Sequence, residues 1–137
     1  MNLALWHRSG TLLVLSLTGD ALCAALALFG DLTRRYRMPQ IFWWILWLAQ
    51  IPLALQMALG IALLAEGARP RTPYHLMYGG LILLTFLALY GLRPGGAVRR
   101  VIVKDERRYR ESRWLLLLSA FLAGLAGRAY MTGLLGR

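Results

Sequence analysis

Four apolar stretches of about 19 to 25 residues constrain the fold of this chain more than any other feature. An α-helix rises 1.5 Å per residue, so about 20 residues cross the roughly 30 Å hydrocarbon layer of a bilayer. In lipid, backbone N–H and C=O groups must be satisfied by the protein itself, and a helix satisfies them within its own segment. The pattern therefore predicts an all-α, polytopic membrane protein whose four transmembrane helices form an up-down bundle. The predicted spans cover residues 9–30, 41–65, 74–92 and 114–135 of a single membrane domain, residues 1–137.

The composition supports a lipid-exposed surface. Hydrophobic residues make up 58% of the chain, whereas about 45–50% is usual for soluble domains. A soluble fold of this size could not bury so much apolar surface. The formal net charge is +10, but the basic residues lie in loops between the apolar stretches, where they orient the protein and meet anionic lipid. We therefore expect membrane lipids as partners, and no nucleic acid.

The basic residues also predict the topology. Residues 93–113 hold eight basic residues and three acids, and residues 31–40 hold three more arginines. Short basic loops between apolar spans stay in the cytoplasm. Placing both loops there gives eleven basic residues on that side against five on the other. We expect a multi-pass protein of the bacterial inner membrane with both termini extracytoplasmic.

Two local features bear on this topology. Ala25 and Ala27 give the first span the small-x-small pattern of a signal-peptide cleavage site. The segment before it is nearly uncharged, so we expect a retained helix. In the loop of residues 93–113, Pro94 and two glycines predict a turn. Glu106–Arg110 and Arg107–Glu111 have the i,i+4 spacing that supports a helix after it, and the sequence leaves open whether that part is helical or merely solvated.

Small residues predict how the spans pack. Membrane helices associate through small residues that let backbones approach closely. The first span carries Gly19, Cys23 and Ala27 at i+4 spacing. The fourth span carries a second stripe, formed by Ser119, Ala123 and Gly127. We expect spans one and four to pack closely; the alternative is that one stripe faces a partner subunit.

Asp20 is the only acid well inside a predicted span. A carboxylate near the middle of a bilayer is costly unless it is paired or protonated. Gln50 and Gln56 of the second span and Arg128 of the fourth can pair with it. Counted along the helices, Gln50 lies closest to the depth of Asp20, whereas Arg128 can extend toward water. We expect a structural Asp20–Gln50 pair, with a proton-relay role for Asp20 as the alternative.

His7 and His75 begin the first and third spans, which run parallel, so both imidazoles are expected at the outer face. Two imidazoles can ligate one haem iron axially, and nearby arginines suit haem propionates or another anionic head group. The histidines are the candidate iron ligands of one haem b. The candidate cofactor-binding residues are His7, His75, Arg8, Arg69, Arg71 and Tyr78. A quinone head group, or an ordinary interfacial role for these residues, is the alternative.

One run of residues resembles a known family. Residues 69–79, RPRTPYHLMYG, open a membrane helix after a short extracytoplasmic loop. This arrangement, over spans one to three, resembles small four-helix b-type-cytochrome-like bacterial membrane proteins. The resemblance implies electron transfer. Those families usually place haem-ligating histidines deeper in the bundle, often in two pairs, whereas this chain has two histidines in all. At most one haem with two histidine ligands is therefore expected.

The sequence carries no HExxH, GxSxG or GxxxxGK motif, so we expect no catalytic activity of its own. The first functional hypothesis is an accessory or structural subunit of a larger, energy-converting membrane complex. It implies anionic lipid at residues 93–113, and other membrane subunits or a second copy of the chain as partners. The alternative is a haem- or quinone-binding electron-transfer protein that uses His7 and His75 at the outer face.

Overall fold

The described part of the chain folds into helices. The computed structural model describes residues 6–7, 10–35, 37–70, 72–105 and 109–135. Within these residues there are helices and turns but no strand. The helices are α1 (Gly10–Leu32), α2 (Gln40–Ala65), α3 (Pro73–Leu92), α4 (Ala97–Ile102) and α5 (Glu111–Leu135).

The four long helices correspond to the four predicted spans. Each is long and apolar enough to cross a membrane, which confirms the all-α class and fits a small integral membrane protein. The largest difference lies at α5, which begins at Glu111, three residues before the predicted start of the span. Hydropathy excludes Glu111 and Ser112 from an apolar span, yet both side chains are buried. The helix begins where their contacts hold it, not where the apolar residues begin.

The helices lie in the order α2, α1, α5, α3. Helix α1 packs against both α2 and α5, and α5 packs against both α1 and α3. The predicted pairing of spans one and four is therefore confirmed. Helices α2 and α3 approach each other much less closely. Aromatic rings join them, with the Trp47 centroid 6.2 Å from that of Phe86 and 5.8 Å from that of Tyr90.

The small residues of α1 lie where the helix is closely packed. Cys23 and Ala27 are fully buried. Gly19 faces α2, because a Cβ added there would lie 2.7 Å from the Cβ of Ala49. Real Cβ atoms do not approach this closely, so the absence of a side chain at Gly19 sets the separation of α1 and α2.

The predicted stripe on α5 is wrong in detail. Ser119 is buried, but a Cβ added at Gly127 would meet no atom within 4 Å. Steps of four residues drift by about 40° each around a helix of 3.6 residues per turn, whereas alternating steps of three and four stay on one face. The buried face follows the alternating steps. It comprises Ser112, Leu115, Ser119, Leu122 and Ala126.

The described residues of 31–40 and 93–113, which are all but 36 and 106–108, lie at one end of the bundle, which we call the basic end. The predicted turn is present: Arg93 C=O accepts a 2.8 Å hydrogen bond from Gly96 N–H, and Gly95 has φ +77°. This is a type II turn, which places Pro at its second position and Gly at its third. It leads into α4, which packs against α3.

A buried ion pair closes the basic end. The Glu111 carboxylate accepts a hydrogen bond from the Arg99 guanidinium and a second, of 2.7 Å, from the backbone N–H of Met38. Glu111 thus pairs with Arg99, and helix α4 ends at Ile102. Residues 106–108, on which the expected i,i+4 pairs depend, lie outside the described residues. Glu111 thus ties α5 to both basic loops.

Candidate functional site

The two histidines meet at the other end of the bundle, which we call the histidine end. The ring centroids of His7 and His75 are 5.9 Å apart, and the ring planes are nearly perpendicular at 89°. The sequence predicted only that the two residues lie at one face. The structure brings the rings into contact.

His7 is held by α2. Its backbone carbonyl accepts a 2.5 Å hydrogen bond from Gln56 Nε2. Its ring lies over Gly60, where an added Cβ would be 3.1 Å from the Cε1 atom of His7. The missing side chain at Gly60 gives the imidazole its place between α2 and α3.

His75 is held by α5. It lies in the first turn of α3, where Pro73 occupies a position whose N–H has no partner within the helix. Its Nδ1 atom lies 3.0 Å from the carbonyl oxygen of Ala129. A carbonyl oxygen can only accept, so Nδ1 carries a proton. In the neutral imidazole this leaves Nε2 with the lone pair, the arrangement that a backbone carbonyl commonly imposes on metal-ligating histidines.

The centroid distance is close to that expected for one shared metal ion, but the two rings meet edge to face, as aromatic rings in contact do. Two imidazoles that bind one ion from opposite sides, with metal–nitrogen bonds of about 2 Å, have centroids roughly 6 Å apart. In the described part of the chain, no three His, Cys, Asp or Glu side chains converge on a possible metal position. A haem would further need its macrocycle between the two rings, which here contact each other. The haem and quinone hypotheses therefore stay predictions.

Of the other four candidate cofactor-binding residues, the structure describes two. Tyr78 packs against the buried core, and Arg69 is exposed in the turn after α2. Arg8 and Arg71 lie outside the described residues. The structure therefore joins the two predicted ligands, and of the predicted anion-binding arginines it describes only Arg69.

A buried polar pair lies inside the bundle. Gln50 Nε2 donates a 2.7 Å hydrogen bond to Asp20 Oδ1, and both side chains are buried. This is the pairing expected from depth. The two other possible partners are engaged elsewhere or too far out, since Gln56 bonds to His7 and Arg128 is exposed.

This pair is incompletely satisfied. Asp20 Oδ2 and Gln50 Oε1 have no hydrogen-bond partner in the described part of the chain. The same holds for the hydroxyl of Ser16, one turn before Asp20 on the same face, and for that of Ser119 on α5. Buried polar atoms usually have partners, so these groups have capacity for a proton or a water. Sequence analysis placed Ser119 in a packing stripe and assigned no polar role to either serine, although the i,i+4 spacing of Ser16 and Asp20 was visible.

Sequence analysis also did not predict the role of Glu111. Its carboxylate, at the start of α5, accepts hydrogen bonds from Arg99 and from the backbone N–H of Met38.

Comparison of the chain with models of known protein families, with curated proteins and with solved structures finds no match. The functional argument therefore rests on the geometry of the chain itself.

Proposed function

We propose that the protein is an integral protein of the bacterial inner membrane, with residues 31–40 and 93–113 in the cytoplasm and both termini on the other side. Large apolar side chains exposed on all four long helices support this proposal, such as Leu15, Leu48 and Leu117. So does the concentration of positive charge at the basic end. There, Arg100 and Lys104 are exposed and suited to anionic lipid.

Within the membrane, its role is that of an accessory or structural subunit of a larger, energy-converting complex. The observation that carries this proposal is an open glycine edge on α5. An added Cβ at either Gly124 or Gly127 would meet nothing within 4 Å. Ala120 and Gly124, spaced by four, are both exposed. In membranes, such small-xxx-small edges let another helix approach closely, and this bundle does not use this one itself.

The exposure of α2 supports the same role. In its most apolar window 11% of the residues are buried, against 22–28% in the other three long helices. In the described part of the chain, α2 also packs closely against just one long helix, α1. A helix this exposed contacts lipid or a neighbouring subunit along most of its length.

The experiment substitutes the glycine edge. Gly124→Leu fills the space that a partner helix would occupy, and Gly80→Leu is the matched control, because Gly80 is also exposed and open but lies on α3. The tagged protein is purified from its own membranes in mild detergent, and its assembly is sized by native electrophoresis. We expect Gly124→Leu to lose the larger assembly while Gly80→Leu keeps it. Equal retention by both variants, or a wild-type protein that migrates as a monomer, contradicts the proposal.

A second function is favoured by the 5.9 Å separation of the two imidazoles. The protein would then carry one haem b, or bind a quinone, at the histidine end. The test is an absorbance spectrum of the purified protein, oxidised and reduced with dithionite. A Soret band that shifts on reduction, and that is lost in both His7→Ala and His75→Ala, supports haem. A flat visible spectrum ends the haem hypothesis.

A further inference from the structure

The junction of α1 and α2 at the basic end forms an apolar cavity of about 150 Å³. Leu26 and Phe29 of α1 and Ile41, Phe42 and Ile45 of α2 line it. Phe29 and Ile41 are 62% and 64% exposed, so the cavity opens on the outer surface of the bundle. A cavity of about this volume, lined by Leu, Ile and Phe, accommodates a benzene-sized group. Roughly six carbons of an acyl chain therefore fit.

Of the described residues that line the cavity, Arg35 is the one that is charged, and it is exposed. Its guanidinium has no ion pair or hydrogen bond within the described part of the chain. The acid of this loop does not neutralise it, because Asp31 binds Arg113 at 3.1 Å and the Ser112 hydroxyl at 3.3 Å. An arginine that is not paired with a carboxylate is suited to a phosphate, which it can bind with two parallel hydrogen bonds.

The backbone fixes Arg35 relative to the cavity. Its N–H donates a 2.8 Å hydrogen bond to the Gly30 carbonyl, and the N–H of Arg34 donates to Asp31 C=O. This pair of bonds ends α1 as a Schellman motif, with Arg34 at φ 58° in the position that usually holds glycine. The backbone of Arg35 is therefore held by hydrogen bonds at a capped helix end.

From these three observations we propose that this junction binds one anionic phospholipid, with its phosphate on Arg35 and one acyl chain in the cavity. The site rests on the proposed membrane insertion and is separate from the loop of residues 93–113. Charge complementarity selects the occupant, because the cavity lining is apolar apart from one cation and adjoins the exposed Arg34. The site lies where α1 ends and α2 begins, the level at which phosphates lie if these helices cross the bilayer.

The experiment measures lipid binding to the full chain by native mass spectrometry in detergent, with phosphatidylglycerol as the probe and phosphatidylcholine as the neutral comparison. Arg35→Gln removes the cation, and Ile45→Phe fills part of the cavity. Arg37→Gln is the matched control, since Arg37 is exposed in the same loop but does not line the cavity. We expect Arg35→Gln to weaken phosphatidylglycerol binding about tenfold, Ile45→Phe to weaken it as well, and Arg37→Gln to leave it within about twofold.

Three results would overturn the site. Equal weakening by Arg35→Gln and Arg37→Gln would show diffuse attraction of anionic lipid. Equal binding of the two lipids would remove the role of charge. Displacement of the lipid by inorganic phosphate, with no effect of Ile45→Phe, would assign the arginine to a free anion. Extraction of the protein from membranes by alkali would instead contradict the membrane insertion on which the site rests, so the two failures are distinguishable.

Discussion

Replacement of Glu111 by alanine tests the ion pair that closes the basic end. The Glu111 side chain is 2% exposed and that of Arg99 10%. The carboxylate accepts from Arg99 and, at 2.7 Å, from the N–H of Met38. In Glu111→Ala the guanidinium loses its carboxylate but stays among the residues that bury it, and Met38 N–H loses its acceptor.

The magnitude follows from this burial. Removing one partner of a buried ion pair typically costs about 3–5 kcal/mol. We expect the lower end, about 3 kcal/mol, because Arg99 keeps its position over the Tyr109 ring, 5.2 Å from the centroid. Arg113→Ala is the matched control, since the Arg113 side chain is 56% exposed in its pair with Asp31. An exposed pair contributes about 1 kcal/mol or less. The predicted difference is thus roughly 2 kcal/mol, or roughly thirtyfold in the unfolding equilibrium.

The assay is unfolding in detergent micelles with increasing SDS, followed by tryptophan fluorescence and far-UV circular dichroism. Glu111→Gln is expected to fall between wild type and Glu111→Ala, since the amide oxygen can still accept from Met38 N–H. If Glu111→Ala costs no more than Arg113→Ala, the buried pair does not hold the two basic loops together and the argument from burial is wrong.

Three further predictions concern the spans. Asp20→Asn keeps an acceptor for its glutamine partner and should change the unfolding free energy by less than about 1 kcal/mol, whereas Asp20→Leu leaves that amide unsatisfied and should cost about 1–3 kcal/mol in the same assay. Gly19→Ala brings a Cβ to 2.7 Å from that of Ala49 and should cost about 1–3 kcal/mol by overpacking; a stabilised variant would contradict the close approach of α1 and α2. In a variant without the native cysteine, a cysteine at Gly67 should react with an impermeant thiol reagent in intact cells, and one at Lys104 only after permeabilisation; the opposite pattern would invert the proposed topology.

Much of the fold was predictable from local sequence. The number, length and order of the four long helices follow from apolar runs, because helix formation in lipid depends on residues within the same segment. The turn before α4 follows from Pro94 and Gly95 for the same local reason. The Asp20–Gln50 bond was predictable because helical rise converts sequence position into depth.

The rest required the tertiary structure. Hydropathy does not show which helices adjoin, and α2 and α3 turn out to meet little outside their aromatic contacts. The buried face of α5 is decided by helical rotation, which turns Gly124 and Gly127 outward although small-residue spacing predicted Gly127 inward. The Arg99–Glu111 pair joins residues that a turn and a short helix bring together.

The sequence by itself determined that four apolar helices form and which residues lie at each end, because both properties depend on local composition and on distance along a helix. Only the tertiary structure decided that the rings of His7 and His75 come within 5.9 Å and that Arg35 lies beside an apolar cavity. Those contacts depend on how closely two backbones approach. That separation is set by side chains from several helices at once, with Gly60 and Gly19 as the positions where a missing side chain permits contact.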